Sequence, residues 1–141
     1  MILLISNKSD IHCNPVVDEL NRIGADFFRL NTDDIHIDYD FDFQINHFSK
    51  NYFYITNKHN QKKIDLLSVT AIWERRPYRP KIKSNLPDSL IDAATEELAE
   101  LTWWIRSFCS IDYYIGHHSL DRIAENKILQ LHTVSIMDSV E

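Results

Sequence analysis

A chain of 141 residues, 44% hydrophobic, 26% charged and 11% aromatic, has the length of one domain and can bury about two thirds of the surface its unfolded form exposes, so a core needs neither disulfides nor a metal. Fifteen Lys and Arg against 21 Asp and Glu give a net charge of −6, which disfavours the non-specific nucleic-acid binding that rests on excess positive charge. Its two glycines, Gly24 and Gly116, are too few and too far apart for a P-loop or a dinucleotide fingerprint.

Cys13 and Cys109 lie far apart with no CxxC spacing, which reads as two reduced thiols of a cytoplasmic protein. The opening Met1-Ile2-Leu3-Leu4-Ile5 has no basic leader and breaks after five residues, too short for a signal peptide or a membrane span.

Ile2 to Ile5 are continuously apolar, as in a strand covered on both faces, and Ser6 to Asp10 supply loop chemistry. Asn14-Pro15 reads as a cap with proline at the first helical position, and Val16, Val17, Leu20 and Ile23 form a short amphipathic stripe closed by Gly24. Ala25 to Leu30 reads as a second strand, making residues 1–30 a βαβ unit, parallel by default.

From Ile35 to Ile45 apolar residues alternate strictly with His36, Asp38, Asp40, Asp42 and Gln44, which predicts a strand with one wet face. Tyr52 to Thr56 and Lys63 to Leu66 add short strands around the Asn57-Lys58-His59-Asn60 turn, so residues 35–67 form an antiparallel β insert. Val69 to Trp73 is again a continuous apolar run and should rejoin the parallel sheet of the first two strands. The longest helix is expected from Pro87-Asp88 to about Phe108, with a seam of Ile91, Ala94, Leu98, Leu101, Ile105 and Phe108 and an acidic N-terminal half. Ile111 to Ile115 is a short strand ended by Gly116, and Ser119 caps a last helix through Leu120, Ala124, Ile128 and Leu131. The fold class is therefore α/β, a parallel core sheet flanked by helices with an antiparallel insert.

Arg75, Arg76, Arg79, Lys81 and Lys83 fall within nine residues that hold no acid, directly after a core strand whose carboxyl end is where open α/β sheets place ligands. An arginine pair there can clamp a carboxylate or phosphate. The commoner fate of such charges is ion pairing, here with Glu74 and the acidic helix that follows. The seven histidines lack ligand spacing, so no metal site is expected. Cys13 beside His12 is a poor nucleophile pair, since a nucleophile normally meets its base across the fold. The acids from Asp33 to Asp42 lack the glycine and terminal Glu of a calcium loop and are assigned to a solvated face. Trp103-Trp104 are assigned to core or interface, not to base stacking. No catalytic residue is singled out.

Four strings carry more than composition does: Ile2-Leu3-Leu4-Ile5-Ser6-Asn7-Lys8, Phe28-Arg29-Leu30-Asn31-Thr32-Asp33-Asp34, Ala71-Ile72-Trp73-Glu74-Arg75-Arg76-Pro77 and Ala124-Glu125-Asn126-Lys127-Ile128-Leu129-Gln130-Leu131. In that order and spacing the chain resembles the N-terminal part of the ATP-grasp peptide maturases that make graspetides, of the microviridin and grasp-with-spasm types. The resemblance covers essentially the whole chain. It implies an enzyme that uses ATP to activate an Asp or Glu side chain of a precursor peptide as an acyl phosphate, which a Ser, Thr or Lys side chain attacks to close an ester or amide. It further implies that residues 1–141 are a single pre-ATP-grasp domain, that the site for ATP and Mg2+ lies between later domains absent from this chain, and that the chain alone is inactive. Lys127 aligns with the lysine that approaches ATP in many ATP-grasp ligases. Asp138 stands where relatives commonly have a helix-ending glycine, and relatives continue past the position of Ser139-Val140-Glu141 into an Ile-Pro or Val-Pro segment, so the chain reads as a fragment cut at a domain boundary.

Partners implied in this way are the precursor peptide and the downstream domains. A homo-oligomer is compatible with the sequence, whereas nucleic acid and membrane are not expected. Arg75, Arg76 and Arg79 are then expected to face the peptide or the missing domains. The alternative is a self-contained peptide- or protein-binding scaffold that uses the basic 75–83 loop and the Trp-bearing helix. A phosphoryl-receiver domain would need an acidic pair where Ser6-Asn7 stand.

Overall fold

The computed structural model describes residues 1–45, 51–82 and 85–116. Lys83, Lys127 and the helix expected from Ser119 to Leu131 lie outside the described residues.

Two sheets share one core. The first contains β1 (Ile2–Ser6), β2 (Phe27–Asn31), β6 (Ala71–Glu74) and β7 (Tyr113–Ile115) in the order β2-β1-β6-β7. All of its pairings are parallel, with Leu3 opposite Phe28 on one side and Ile72 on the other. The second is antiparallel, β3 (Tyr39–Gln44), β4 (Tyr52–Asn57) and β5 (Lys63–Asp65). The expectation that the opening βαβ unit and the strand near 69–73 share a parallel sheet is met.

Helix α1 (Cys13–Arg22) crosses from β1 to β2. Its start corrects the assignment of Asn14 as cap: the helix begins at Cys13, and no side chain caps its first turn. Asp10 does part of that work instead, its carboxylate accepting the His12 amide at 3.1 Å and its carbonyl the Cys13 amide at 3.1 Å. Asn14 turns its amide oxygen to Arg29, and Pro15 still falls in the first turn, where its missing N–H leaves no bond unmade.

The alternation from Ile35 to Ile45 is not one strand. Residues Ile35–Asp38 close a helical turn, α2, before β3 begins at Tyr39. Ile35 is fully buried and Ile37 is exposed, while Asp38, expected on a wet face, is 3% exposed. Lys8 is the reason: its ammonium lies 2.8 Å from Asp38 and 2.8 Å from Asp34, and His59 Nε2 meets the other Asp38 oxygen at 2.8 Å. These contacts tie the β1 loop to the β4–β5 turn. Asp40 and Asp42 keep the exposed positions expected of them.

Burial by itself pushes the Asp38 carboxyl up, but hydrogen bonds from Lys8 and His59 and the charge of both outweigh it, and the net displacement is downward. A depressed carboxyl stabilises the fold above its ordinary range and loses that contribution as pH falls through the folded-state value. We therefore expect the urea stability of the chain to fall from about pH 5 downward, and the slope of that acid limb to be reduced in Asp38→Asn. An unchanged slope would remove Asp38 from the account.

Helix α3 (Asp88–Ser107) connects β6 to β7 and bridges both sheets. Ile105 is fully buried among Leu3, Ile5 and Ile72, and Phe108, just beyond its end, stacks on Phe53 of β4 with ring centroids 3.9 Å apart. Trp103 and Trp104 are 59% and 49% exposed. Core is therefore the wrong half of their expected assignment: they sit outside the seam, and Trp104 meets Phe108 at a tilt with ring centroids 5.8 Å apart.

The other face of the parallel sheet is covered unevenly. Leu4, Trp73 and Ile115 are in register on it; Leu4 is buried with Val16 and Leu20 of α1 beside it, whereas Ile115 is 63% exposed. Continuous apolar character thus marks two-sided cover at β1 but not at β7 among the described residues.

Candidate functional site at the carboxyl end of the parallel sheet

Parallel strands end together, and the residues just past their apolar runs gather at one rim. Here that rim holds most of the buried polar groups of the protein's described part: Ser6, Asn7, Asp10, Thr32 and Glu74 are each less than a tenth exposed. A buried polar group is costly unless hydrogen-bonded, so what each one holds explains its presence.

Ser6 Oγ donates to Asp10 at 3.1 Å, and Arg75 Nε sits 3.1 Å from the same carboxylate. Burial raises the Asp10 carboxyl, but Ser6, the His12 amide and Arg75 together hold it below the usual carboxylate range. Glu74 is gripped from α3: Arg106 Nε and Nη2 each lie 2.7 Å from one of its oxygens, and the Tyr114 hydroxyl donates to it as well. Burial alone would lower the Arg106 guanidinium; the hydrogen bonds and charge of Glu74 carry it above its ordinary value. Burial pushes the Tyr114 phenol up, and the Glu74 carboxylate adds to the rise.

The β1–α1 loop would be the place for phosphate-binding amides. Four of its amides are already taken: the Lys8 amide by Asp33, the Ser9 amide by Asn7 Oδ1, the Asp10 amide by the Asn7 carbonyl, and the His12 amide by Asp10. Those four amides are therefore not free to receive a phosphate. Among the described residues no three His, Cys, Asp or Glu side chains are grouped to hold a metal ion. Both cysteines are free; Cys13 is buried, which raises its thiol, and burial pushes Cys109 up to about 12. Neither thiol is activated.

The three arginines of the expected basic loop part company. Arg75 is turned inward onto Asp10, not onto Glu74, which belongs to Arg106. Arg79 pairs with Glu96 of α3 at the surface, the ordinary fate of a mixed-charge surface. Arg76 is exposed, and among the described residues its guanidinium meets no acid. Its backbone is left-handed, φ 44°, uncommon for a residue with a side chain. Sequence reasoning passed over Asn7, Asp10 and Arg106 as site residues and named Glu74 only as a partner for the loop arginines. Asn7 and Glu74 stand one or two places beyond an apolar strand run, and that position is the signal that could have found them; Arg106 lies on a helix and announces nothing by itself.

Residues 1–123 match the family described as the MvdD pre-ATP grasp domain. The chain belongs to that family. Among solved structures the pre-ATP grasp fold recurs in the macrocyclase MdnB from Microcystis aeruginosa MRC, with a TM-score of 0.75 and 23% identity over 95% of this chain and 43% of that one. It recurs in the macrocyclase MdnC of the same organism, bound with precursor peptide MdnA, at a TM-score of 0.70 and 23% identity over 94% of this chain and 40% of that one. It also recurs in a RiPP-associated ATP-grasp ligase of Chryseobacterium gregarium in complex with ADP and a leader and core peptide, at 0.72 and 22% over 95% and 40%. This chain therefore spans about two fifths of the length of the solved proteins it resembles. None of the curated proteins matches it. No helix among the described residues is long and apolar enough to cross a membrane.

Proposed function

We propose that this chain is the N-terminal module of an ATP-dependent peptide ligase that joins Asp or Glu side chains of a ribosomally made precursor peptide to Ser, Thr or Lys side chains of the same peptide, giving ester or amide crosslinks. The observation that carries this reading is the family match across residues 1–123; the MdnC and Chryseobacterium structures, which hold peptides, support a peptide as partner. ATP and Mg2+ are assigned to domains downstream, with Lys127 as the contribution of this chain. The rim at the carboxyl end of the parallel sheet is the surface offered to peptide or to those domains, with Arg76 as its exposed cation, Arg79 beside it on its surface pair with Glu96, and Arg75 as an internal strut of the rim.

Two measurements test the proposal. The chain alone should show no micromolar ATP affinity by calorimetry, because one lysine does not replace a cradle of amides and a metal. Tight binding would overturn the downstream placement of the nucleotide. Coexpression of the chain, continued through its downstream reading frame, with a candidate precursor peptide should give peptide lighter by one water per crosslink in mass spectrometry. Intact peptide that is bound but unaltered would favour the scaffold reading, in which the same rim only binds.

A further inference from the structure

Resting on the proposed function, in which a peptide carboxylate is the group to be joined, we infer that Asn7 is a positioning residue: its buried amide holds the Arg76 backbone in a left-handed turn and so presents the Arg76 guanidinium to a side-chain carboxylate of the peptide.

Alternation along β6 makes the need for such a device plain. Glu74 faces α3 and pairs with Arg106, and Arg75 faces the opposite side and pairs with Asp10. Were Arg76 to continue the strand, the period of two would return its side chain to the Glu74 face, beside the Arg106 guanidinium. The ladder does continue as far as Arg75, whose amide donates to the Ile5 carbonyl at 2.9 Å. At Arg76 the backbone leaves it with φ 44°.

Asn7 stands where the turn occurs. It is 1% exposed, and its Nδ2 donates to the Arg76 carbonyl at 2.6 Å. The orientation of the amide is decided by its other end, because Oδ1 accepts both the Ser9 amide at 2.9 Å and the Ser9 hydroxyl at 2.7 Å, which only an oxygen can do for a backbone N–H. Farther along, the buried Thr32 hydroxyl donates to the Tyr78 carbonyl at 2.7 Å and the Lys81 amide to the Asp33 carbonyl at 3.1 Å. Pro77 and Pro80 remove two more degrees of freedom between these ties. The segment carrying Arg76 is thus ordered before any ligand arrives, which lowers the entropy lost on binding. A guanidinium fork that meets no acid among the described residues matches a carboxylate, donating two parallel N–H bonds to its oxygens.

Arginine Nε–Hε resonances of the 15N-labelled chain, titrated with glutarate, test the inference. The Arg76 signal, identified by its loss in Arg76→Gly, should move with glutarate while that of Arg75 stays. Asn7→Ala should weaken the apparent affinity about tenfold, the factor that goes with one charge-assisted contact. In urea unfolding the penalty of Asn7→Ala should shrink in an Arg76→Gly background, since glycine takes a positive φ unaided. If Asn7→Ala does not fold, Asn7→Ser, which keeps an acceptor near Ser9 but is too short to reach Arg76, serves for the same comparison. Equal glutarate affinity in the wild type and the Asn7 variant overturns the positioning role and leaves the carboxylate contact standing. An Arg76 signal that ignores glutarate, with the urea coupling present, overturns the carboxylate contact and leaves Asn7 as a structural tie only.

Discussion

Replacing Arg106 with methionine is expected to cost about 3–5 kcal/mol of unfolding free energy, the range seen when one member of a buried ion pair is removed. The Glu74 side chain is 1% exposed and that of Arg106 18%, so water cannot take over the two hydrogen bonds that the guanidinium makes. The Tyr114 hydroxyl remains as a donor but brings no charge. The loss is also local to the rim: the pair with Glu74 ties the last turn of α3 to β6, and Arg106 Nη1 donates to the Thr102 carbonyl one turn back on the same helix at 2.7 Å, so the same substitution removes both contacts. A double variant, Glu74→Leu with Arg106→Met, should recover most of the loss, because the cost of the single change lies in the carboxylate left behind and not in the value of the pair. Chemical denaturation of the three variants checks this. A single variant within 1 kcal/mol of the parent, on the scale of roughly 1 kcal/mol typical of exposed pairs, would mean that the pair behaves as a surface one.

The parallel sheet was legible because hydrophobicity alone decides it. Ile2 to Ile5 is apolar throughout and Val69 to Trp73 is broken only by Thr70, and in the fold Leu3, Leu4, Ile5, Val69 and Ile72 are buried while Thr70 is exposed. Helix α3 was legible for a similar reason, its seam being long enough to outweigh local preferences. Residues 35–38 were misread because a period of two over four residues is also one turn of helix with Ile35 in and Ile37 out. What decides between them is Lys8, distant in sequence, which makes a buried position acceptable for Asp38. The rim was legible as a place and not as a set of partners: the basic run after β6 is visible in the sequence, but nothing local says that Arg75 turns to Asp10, that Arg79 crosses to Glu96, or that Arg76 is left outside. Those pairings join residues 17 to 65 positions apart, and they depend on which loops the strands bring together. Lys127, the residue the family resemblance singles out, lies outside the described residues.

Gly116→Ala should destabilise the chain by about 2 kcal/mol or more, a size reserved for changes with a definite steric or backbone cause. Two causes act together there. Gly116 has φ 87°, a conformation in which a side chain is strained by itself. A Cβ built on it would lie 2.0 Å from the carbonyl oxygen of Glu74 and 3.1 Å from its carbonyl carbon. The obstacle is backbone, not the tip of a side chain that could swing away, and it belongs to the strand that carries the Glu74–Arg106 pair. Relief would therefore have to come from shifting the end of β6 relative to β7, at the point where Trp73 is paired with Ile115. That couples the substitution to the rim: the Arg106 Nε–Hε resonance should move in Gly116→Ala, whereas it should stay in Gly24→Ala, where the added Cβ meets nothing within 4 Å and the strain is confined to the end of α1. A Gly116→Ala chain as stable as the parent with an unmoved Arg106 signal would show that β7 does not approach β6 this closely.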